Sequence, residues 1–109
     1  MDDFEDNVGF PATFETAIDA AGVLTLKVVG ELDIANVTPI RQALVAVVAE
    51  KPSRVVIDLS ELSFLDSSGL ALFMFLANEV GDVELREASP IVGRIIDVTG
   101  LSSVFKMTP

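Results

Sequence analysis

Residues 54–70 read Arg54-Val-Val-Ile-Asp-Leu-Ser-Glu-Leu-Ser-Phe-Leu-Asp-Ser-Ser-Gly-Leu70. The stretch opens with a short, β-branched and nearly uninterrupted apolar run over residues 55–59, which is typical of a central strand covered on both faces. It then passes through a polar Asp-Ser-Ser-Gly turn into an apolar run that continues from Leu70. The sequence therefore predicts a buried strand leading into a largely buried helix, whose N-terminus presents the hydroxyl groups of Ser67 and Ser68 on the surface.

These two hydroxyl groups lack the partner that a hydrolytic nucleophile requires. The chain contains no His and no Cys, so the usual general base for an attacking serine is missing. The same absence removes the usual ligands of zinc, haem and iron–sulfur clusters and leaves only carboxylates for hard cations such as Mg²⁺. We therefore predict a protein that is not an enzyme, has no metal or cofactor of its own, and carries serines that another protein modifies.

Composition limits the classes of partner. A chain of 109 residues fits one domain. Its net charge of −10 opposes nucleic-acid phosphates, and its seven Lys and Arg residues form no basic stripe in the sequence. The acidity is explained equally well by solubility and by a partner with a basic face. No apolar run approaches the roughly 20 residues of a membrane span, and the acidic start is unlike a signal peptide. We predict a cytoplasmic monomer or weak dimer that binds no nucleic acid directly.

The remaining patterns place strands and helices around the opening stretch. Residues 1–9 are acidic and without periodicity, and we expect a flexible leader followed by a single domain over residues 10–109. The pattern favours strands over residues 10–19, 23–32, 55–59, 83–88 and 104–107, and helices over residues 37–50, 67–80 and 90–99.

This order, β-β-α-β-α-β-α-β, predicts an α/β fold in which three helices pack on a mixed, largely parallel sheet of four to five strands. Functional sites of such sheets gather where the C-terminal ends of strands meet the N-terminal ends of helices. Three polar segments fall at these junctions: residues 33–36, 66–68 and 89–90. We expect them at one end of the sheet.

Three motifs together match a pattern known from one protein family. They are Gly30-Glu31-Leu32-Asp33, the stretch from Val55 to Leu70 with its Asp-Ser-Ser-Gly turn, and Ser89-Pro90 followed by Gly100-Leu101 and Val104-Phe105. In these motifs the chain resembles the STAS-domain family of bacterial anti-sigma factor antagonists. The resemblance runs from Thr13 to Met107.

The resemblance implies a partner switch. An antagonist of this family binds an anti-sigma factor that is also a serine kinase, and thereby frees a sigma factor. The kinase phosphorylates the antagonist and releases it, and a PP2C-type phosphatase resets the system. The family's acceptor is the first Ser of the motif, which maps to Ser67, with Ser68 as second choice. The implied docking surface comprises Asp33, Asn36, Asp66, Ser67, Ser68 and Gly69.

Simpler interpretations stand beside these expectations. Residue types alone favour a plain helix cap for residues 66–68, and a capping or turn role for Asp33. Gly69 indicates either close approach of a partner to the backbone or tight packing of the helix on a strand, because glycine weakens a helix. The apolar cluster of Leu70, Phe73, Phe75 and Leu76 favours core over a ligand pocket.

Two other functions remain open. One is a STAS subunit of a different assembly, such as a stress-signalling or lipid-transport complex. The other is a small nucleotide-binding protein that uses Asp33, Asp66 and a metal. The chain has no glycine-rich phosphate loop, which argues against the second.

Overall fold

The polypeptide from residue 12 to residue 109 is described by a computed structural model. The predicted leader and the first two residues of the predicted domain lie outside the described residues. The elements are β1 (Thr13–Ile18), β2 (Val23–Leu32), α1 (Val37–Val48), β3 (Arg54–Asp58), β4 (Leu62–Leu65), α2 (Ser67–Val80), β5 (Val83–Arg86), α3 (Pro90–Val98), a 3₁₀ turn (Leu101–Ser103) and β6 (Lys106–Thr108).

The sheet is mixed, with five parallel strands and one antiparallel strand. β1 and β2 form an antiparallel hairpin in which Thr13 lies opposite Val29. The strands follow the order β1-β2-β3-β5-β6, with β2, β3, β5 and β6 parallel to one another. α1 connects the neighbouring strands β2 and β3, and α3 connects the neighbouring strands β5 and β6, whereas α2 connects β4, beside the end of β2, to β5. All three connections run in the same direction across the sheet, and right-handed crossovers of this kind place the helices on one face. The predicted α/β class is confirmed.

β4 is a strand that the sequence patterns did not predict. It pairs in parallel with the end of β2, where Gly30 lies opposite Leu62 and Leu32 opposite Leu65. The sheet therefore has six strands instead of four to five, and β3 leads into β4 and not directly into α2. The cause is the length of β2, because β3 pairs only with Val23–Lys27 and leaves the last backbone groups of β2 to another partner.

The helix-covered face of the sheet carries the hydrophobic core. Phe73 is fully buried, and its ring meets that of Phe105 edge to face, with centroids 6.5 Å apart. Leu70 and Leu76 belong to the same core, as predicted. Phe75 lies at its margin, where the Arg41 guanidinium stands 4.4 Å above the ring centroid. The strands contribute Leu24, Leu26, Val28, Val55, Ile57, Val83 and Leu85.

β3 is covered on both faces, as predicted, but helices cover only one of them. The other face of the sheet, here called the polar face, carries charged side chains. Arg54 and Glu84 form an ion pair on this face, and Arg86 Nη2 lies 2.9 Å from Glu84 Oε2. Val56, which is in register with Glu84, is nevertheless buried. Long charged side chains cover apolar surface with their stems. The apolar run of β3 therefore does not require a helix on each side.

Candidate functional site

The two parallel strands β2 and β4 bring the first two predicted site segments together. Leu32 and Leu65 are in register, so the residues that follow them leave the sheet at the same edge. The backbone N–H of Asp66 donates to the Leu32 carbonyl oxygen at 3.1 Å. The backbone N–H of Ile34 donates to Asp66 Oδ2 at 3.2 Å. Residues 33–36 and 66–68 thus lie side by side at one edge of the sheet, as the topology predicts.

Asp66 caps helix α2. Its Oδ1 accepts hydrogen bonds from the backbone N–H groups of Ser68, at 2.8 Å, and Gly69, at 3.3 Å. These bonds satisfy N–H groups that lack partners within the helix. The two oxygens of the carboxylate therefore bind different segments. Oδ1 accepts hydrogen bonds from the start of α2, and Oδ2 accepts one from the loop that follows β2. The simple capping interpretation is correct for Asp66, but the cap leaves the roles of the serines open.

Ser67 and Ser68 differ in accessibility. Ser67 is the first residue of α2 and is exposed, whereas Ser68 is half-buried. A helix N-terminus favours negative charge because its N–H groups and its dipole both point their positive ends outward. An anionic group carried on Ser67 would thus meet a favourable helix end.

The loop between β2 and α1, residues 33–36, is held by its own side chains. The Asn36 amide Nδ2 donates to the Glu31 carbonyl oxygen at 2.7 Å, and its Oδ1 accepts from the Asp33 N–H at 3.0 Å. Asp33 Oδ1 accepts from the Ala35 N–H at 2.9 Å. Asp33 is a turn residue, in agreement with the simpler interpretation. Asn36 fastens the loop to β2 and makes no side-chain cap on α1.

Gly69 is buried beneath the site. A Cβ atom at this position would lie 3.1 Å from Leu32 Cδ2 and Cγ and from Leu65 Cβ. Of the two interpretations left open, tight packing of α2 on the strand ends accounts for this glycine. Gly69 supports the site from below and offers no surface to a partner.

The third segment, Ser89-Pro90, begins helix α3. Ser89 Oγ accepts from the Val92 N–H at 3.2 Å, and Pro90 is the first helical residue, as predicted. Because β5 runs parallel to β3, and β3 to β2, the C-terminal end of β5 points toward the same edge of the sheet.

Ile34 is the site residue that the sequence analysis missed. Its side chain is 74% exposed in the middle of the polar loop, two residues beyond β2. The available signal was a large apolar residue in a turn bounded by the polar residues Asp33 and Asn36.

The surface formed by residues 33–36 and 66–68 is acidic. Asp33 and Asp66 are both half-buried there. Within residues 12–109 no three carboxylates are placed to hold a metal ion together. None of the helices in the same residues is long and apolar enough to cross a membrane.

Comparison with protein families identifies this architecture. The family model described as "Mlab, STAS domain" matches residues 16–108. The chain belongs to the STAS domain family. The resemblance seen in the motifs is confirmed.

Relatives of this STAS domain carry consistent names. It is 30% identical over 95 residues to the anti-sigma-F factor antagonist RsfB of Mycobacterium tuberculosis, covering 84% of this chain and 78% of that protein. It is 31% identical over 83 residues to the anti-sigma-B factor antagonist of Staphylococcus epidermidis, covering 72% and 77%. Both relatives are regulators, and the prediction that this STAS domain is not an enzyme is confirmed.

Solved structures agree with these relatives. An anti-sigma factor antagonist from Mycobacterium paratuberculosis superposes with a TM-score of 0.81 at 33% identity, covering 94% of this chain and 91% of that one. The unphosphorylated anti-sigma factor antagonist SpoIIAA superposes with a TM-score of 0.77 at 22% identity, covering 89% of each chain, and shares the fold.

Proposed function

We propose that this STAS domain is an anti-sigma factor antagonist that phosphorylation of Ser67 switches off. It binds an anti-sigma factor that is also a serine kinase and so frees a sigma factor, and a PP2C-type phosphatase restores the active form. The observation that carries the proposal is the exposed Ser67 at the N-terminus of α2, beside the loop that Asp66 holds. The names of the relatives support the same role.

Ser67 is the proposed acceptor because its side chain is exposed, whereas Ser68 is half-buried. In the transfer, Ser67 Oγ forms a bond to the γ-phosphorus of ATP held by the kinase, the bond to ADP breaks, and the hydroxyl proton passes to a base of the kinase. This chain needs only to present the hydroxyl.

The added charge is sufficient to act as a switch. A phosphate brings about −1.5 to −2 charges and three acceptor oxygens at pH 7. The helix N-terminus accommodates it, so the domain stays folded. At an interface beside Asp66 and Asp33, an unpaired charge of this size costs about 2–5 kcal/mol of binding free energy. That corresponds to a loss of affinity of roughly 30-fold to several-thousand-fold.

The proposed docking surface consists of Asp33, Asn36, Asp66, Ser67 and Ser68, with Gly69 beneath it. Because the chain carries a net charge of −10 and the surface is acidic, we expect a basic face on the partner and no direct contact with nucleic acid. We expect the protein to act in the cytoplasm, where the kinase finds ATP, as a monomer or weak dimer.

Incubation with the cognate anti-sigma factor kinase and ATP tests the switch. We expect mass spectrometry to find phosphate on Ser67 and gel filtration to show that the complex dissociates. Ser67→Ala should remain unlabelled and bound in the presence of ATP, whereas Ser68→Ala, the matched control, should still be labelled on Ser67. Labelling of another residue, or dissociation of the Ser67→Ala complex by ATP, would contradict the assignment.

A comparison of the proteins captured by Ser67→Ala and Ser67→Asp tests the identity of the partner. We expect the kinase on Ser67→Ala and less of it on Ser67→Asp, which carries less charge than a phosphate. Capture of other assembly proteins without a kinase would indicate a STAS subunit of a stress-signalling or lipid-transport complex instead.

A further inference from the structure

The two oxygens of the Asp66 carboxylate serve segments that are far apart in the chain. Oδ1 accepts from the first turn of α2, where Ser67 lies, and Oδ2 accepts from the backbone of Ile34, 32 residues earlier. We propose that Asp66 is a positioning residue that couples the phosphorylation state of Ser67 to the position of Ile34. We infer further that Ile34 is the apolar anchor of partner docking. Both statements rest on the proposed function.

The surroundings of Ile34 suit an anchor. Its side chain is 74% exposed, while its backbone lies in the loop that Asp33 and Asn36 fasten internally. A side chain presented by an already ordered loop costs little additional entropy when it binds. The half-buried Asp33, Asn36 and Asp66 form a polar rim beside this apolar group, as in the core-and-rim arrangement of protein interfaces. The partner surface that fits is an apolar pocket bordered by basic groups and backbone N–H groups.

The coupling follows from competition at the helix end. A phosphate on Ser67 repels the adjacent Asp66 carboxylate. The phosphate oxygens also compete with Asp66 Oδ1 for hydrogen bonds from the N–H groups of Ser68 and Gly69. A carboxylate displaced from the cap no longer holds Oδ2 at the Ile34 N–H. Phosphorylation then weakens docking twice, by placing charge in the interface and by releasing the loop that carries the anchor.

The variant Asp66→Asn distinguishes the roles of the two carboxylate oxygens, because it keeps an acceptor at only one of the two positions. Its single carbonyl oxygen can still cap α2, whereas its amide group, a donor, faces the Ile34 N–H, which is also a donor. Ser89→Ala is the matched control, because it removes the cap of α3 without contact to the loop.

Hydrogen exchange of the Ile34 amide in the full chain, followed by NMR without a partner, tests the coupling. We expect exchange about fivefold faster in Asp66→Asn, as for the loss of one hydrogen bond, and a smaller increase in Ser67→Asp. Ser89→Ala should exchange as wild type. Unchanged exchange in Asp66→Asn would overturn the coupling, whatever the partner does.

Binding to the kinase tests the anchor. We expect Ile34→Ala to weaken binding about tenfold or more, as for loss of an interface anchor. Val98→Ala, at an equally exposed apolar residue on α3, should leave affinity unchanged. Asp66→Asn combined with Ile34→Ala should lose less affinity than the sum of the two single losses, because part of the effect of Asp66 acts through Ile34.

Additive losses in the double variant would overturn the action of Asp66 through Ile34, and an unchanged affinity of Ile34→Ala would overturn the anchor. The two experiments can also disagree. If the wild-type chain binds no kinase but Ile34 amide exchange is faster in Asp66→Asn, the proposed function and the anchor are overturned and the coupling is supported.

Discussion

Gly69 lies where the first turn of α2 crosses the ends of β2 and β4. The atoms nearest to its missing Cβ belong to Leu32 and Leu65, the residues that precede the loop 33–36 and the cap Asp66. The absence of a side chain therefore sets how closely the helix approaches the two strand ends. Together with the hydrogen bonds of Asp66, this contact helps to set the distance between Ser67 and the loop.

Substitution of Gly69 by Ala tests the contact. We expect Gly69→Ala to lower the free energy of unfolding by about 1–3 kcal/mol through overpacking, even though alanine favours a helix. Gly93→Ala is the control, because nothing lies within 4 Å of a Cβ there, and it should raise stability by up to about 1 kcal/mol. Urea unfolding measures both. Equal stabilities for Gly69→Ala and wild type would show that Leu32 and Leu65 move aside.

At the scale of elements, the start of α3 is determined by neighbouring residues, whereas the strand β4 is determined by residues far away in the chain. Ser89-Pro90 predicts the start of α3 correctly because the cap bond reaches only three residues ahead, to Val92. β4 depends on a partner strand that lies some 30 residues earlier in the chain, and its four residues are too few for a clear period of two. Capping is thus predictable from a short window, whereas strand pairing is not.

The cap of α3 can be removed alone. We expect Ser89→Ala to destabilise the domain by about 1 kcal/mol, because the Val92 N–H loses its acceptor. In a domain of this size the midpoint of thermal unfolding should fall by about 4–8 °C. Circular dichroism measures the shift. Ser103→Ala, which removes an exposed hydroxyl, should change the midpoint far less. A fall of the same size in both variants would argue against a specific cap.

At the scale of the whole molecule, the polar face holds β3, β5 and β6 together through one carboxylate. Glu84 is only 4% exposed, and its Oε2 accepts from Thr108 Oγ1 and from Arg86. These hydrogen bonds, with the charges of Arg86 and Arg54, hold the pKa of Glu84 below its usual value. On the same face Lys27 pairs with Glu61 at 2.6 Å, which raises the pKa of Lys27.

The lowered pKa of Glu84 makes the free energy of unfolding depend on pH in the acidic range. Because the unfolded chain binds the proton more readily, this contribution is complete above the usual glutamate pKa of about 4.3 and is lost as the pH falls through the lower folded-state value. We expect Glu84→Gln to lose about 1–3 kcal/mol at pH 7 and to show a shallower decline between pH values of about 5 and 3.

Urea unfolding at pH 7 and at a pH of about 3 measures this difference. Glu50→Gln, at an exposed residue after α1, is the control and should follow wild type. Parallel declines of wild type and Glu84→Gln would contradict the role of Glu84.

The amino-acid sequence by itself determined the α/β class, the hairpin and the three helices, whose ends lie within two residues of the predicted ones. Its resemblance to the family made Ser67 the candidate acceptor. Periodicity, capping and turn residues act over a few neighbouring positions, so they can be recognised in the chain. Only the tertiary structure decided that β4 extends the sheet and that Leu32 and Leu65 require glycine at position 69. It also decided that Asp66 holds Ile34. These features join residues about 30 or more positions apart, and their geometry is set by how the long strand β2 pairs with two successive partners.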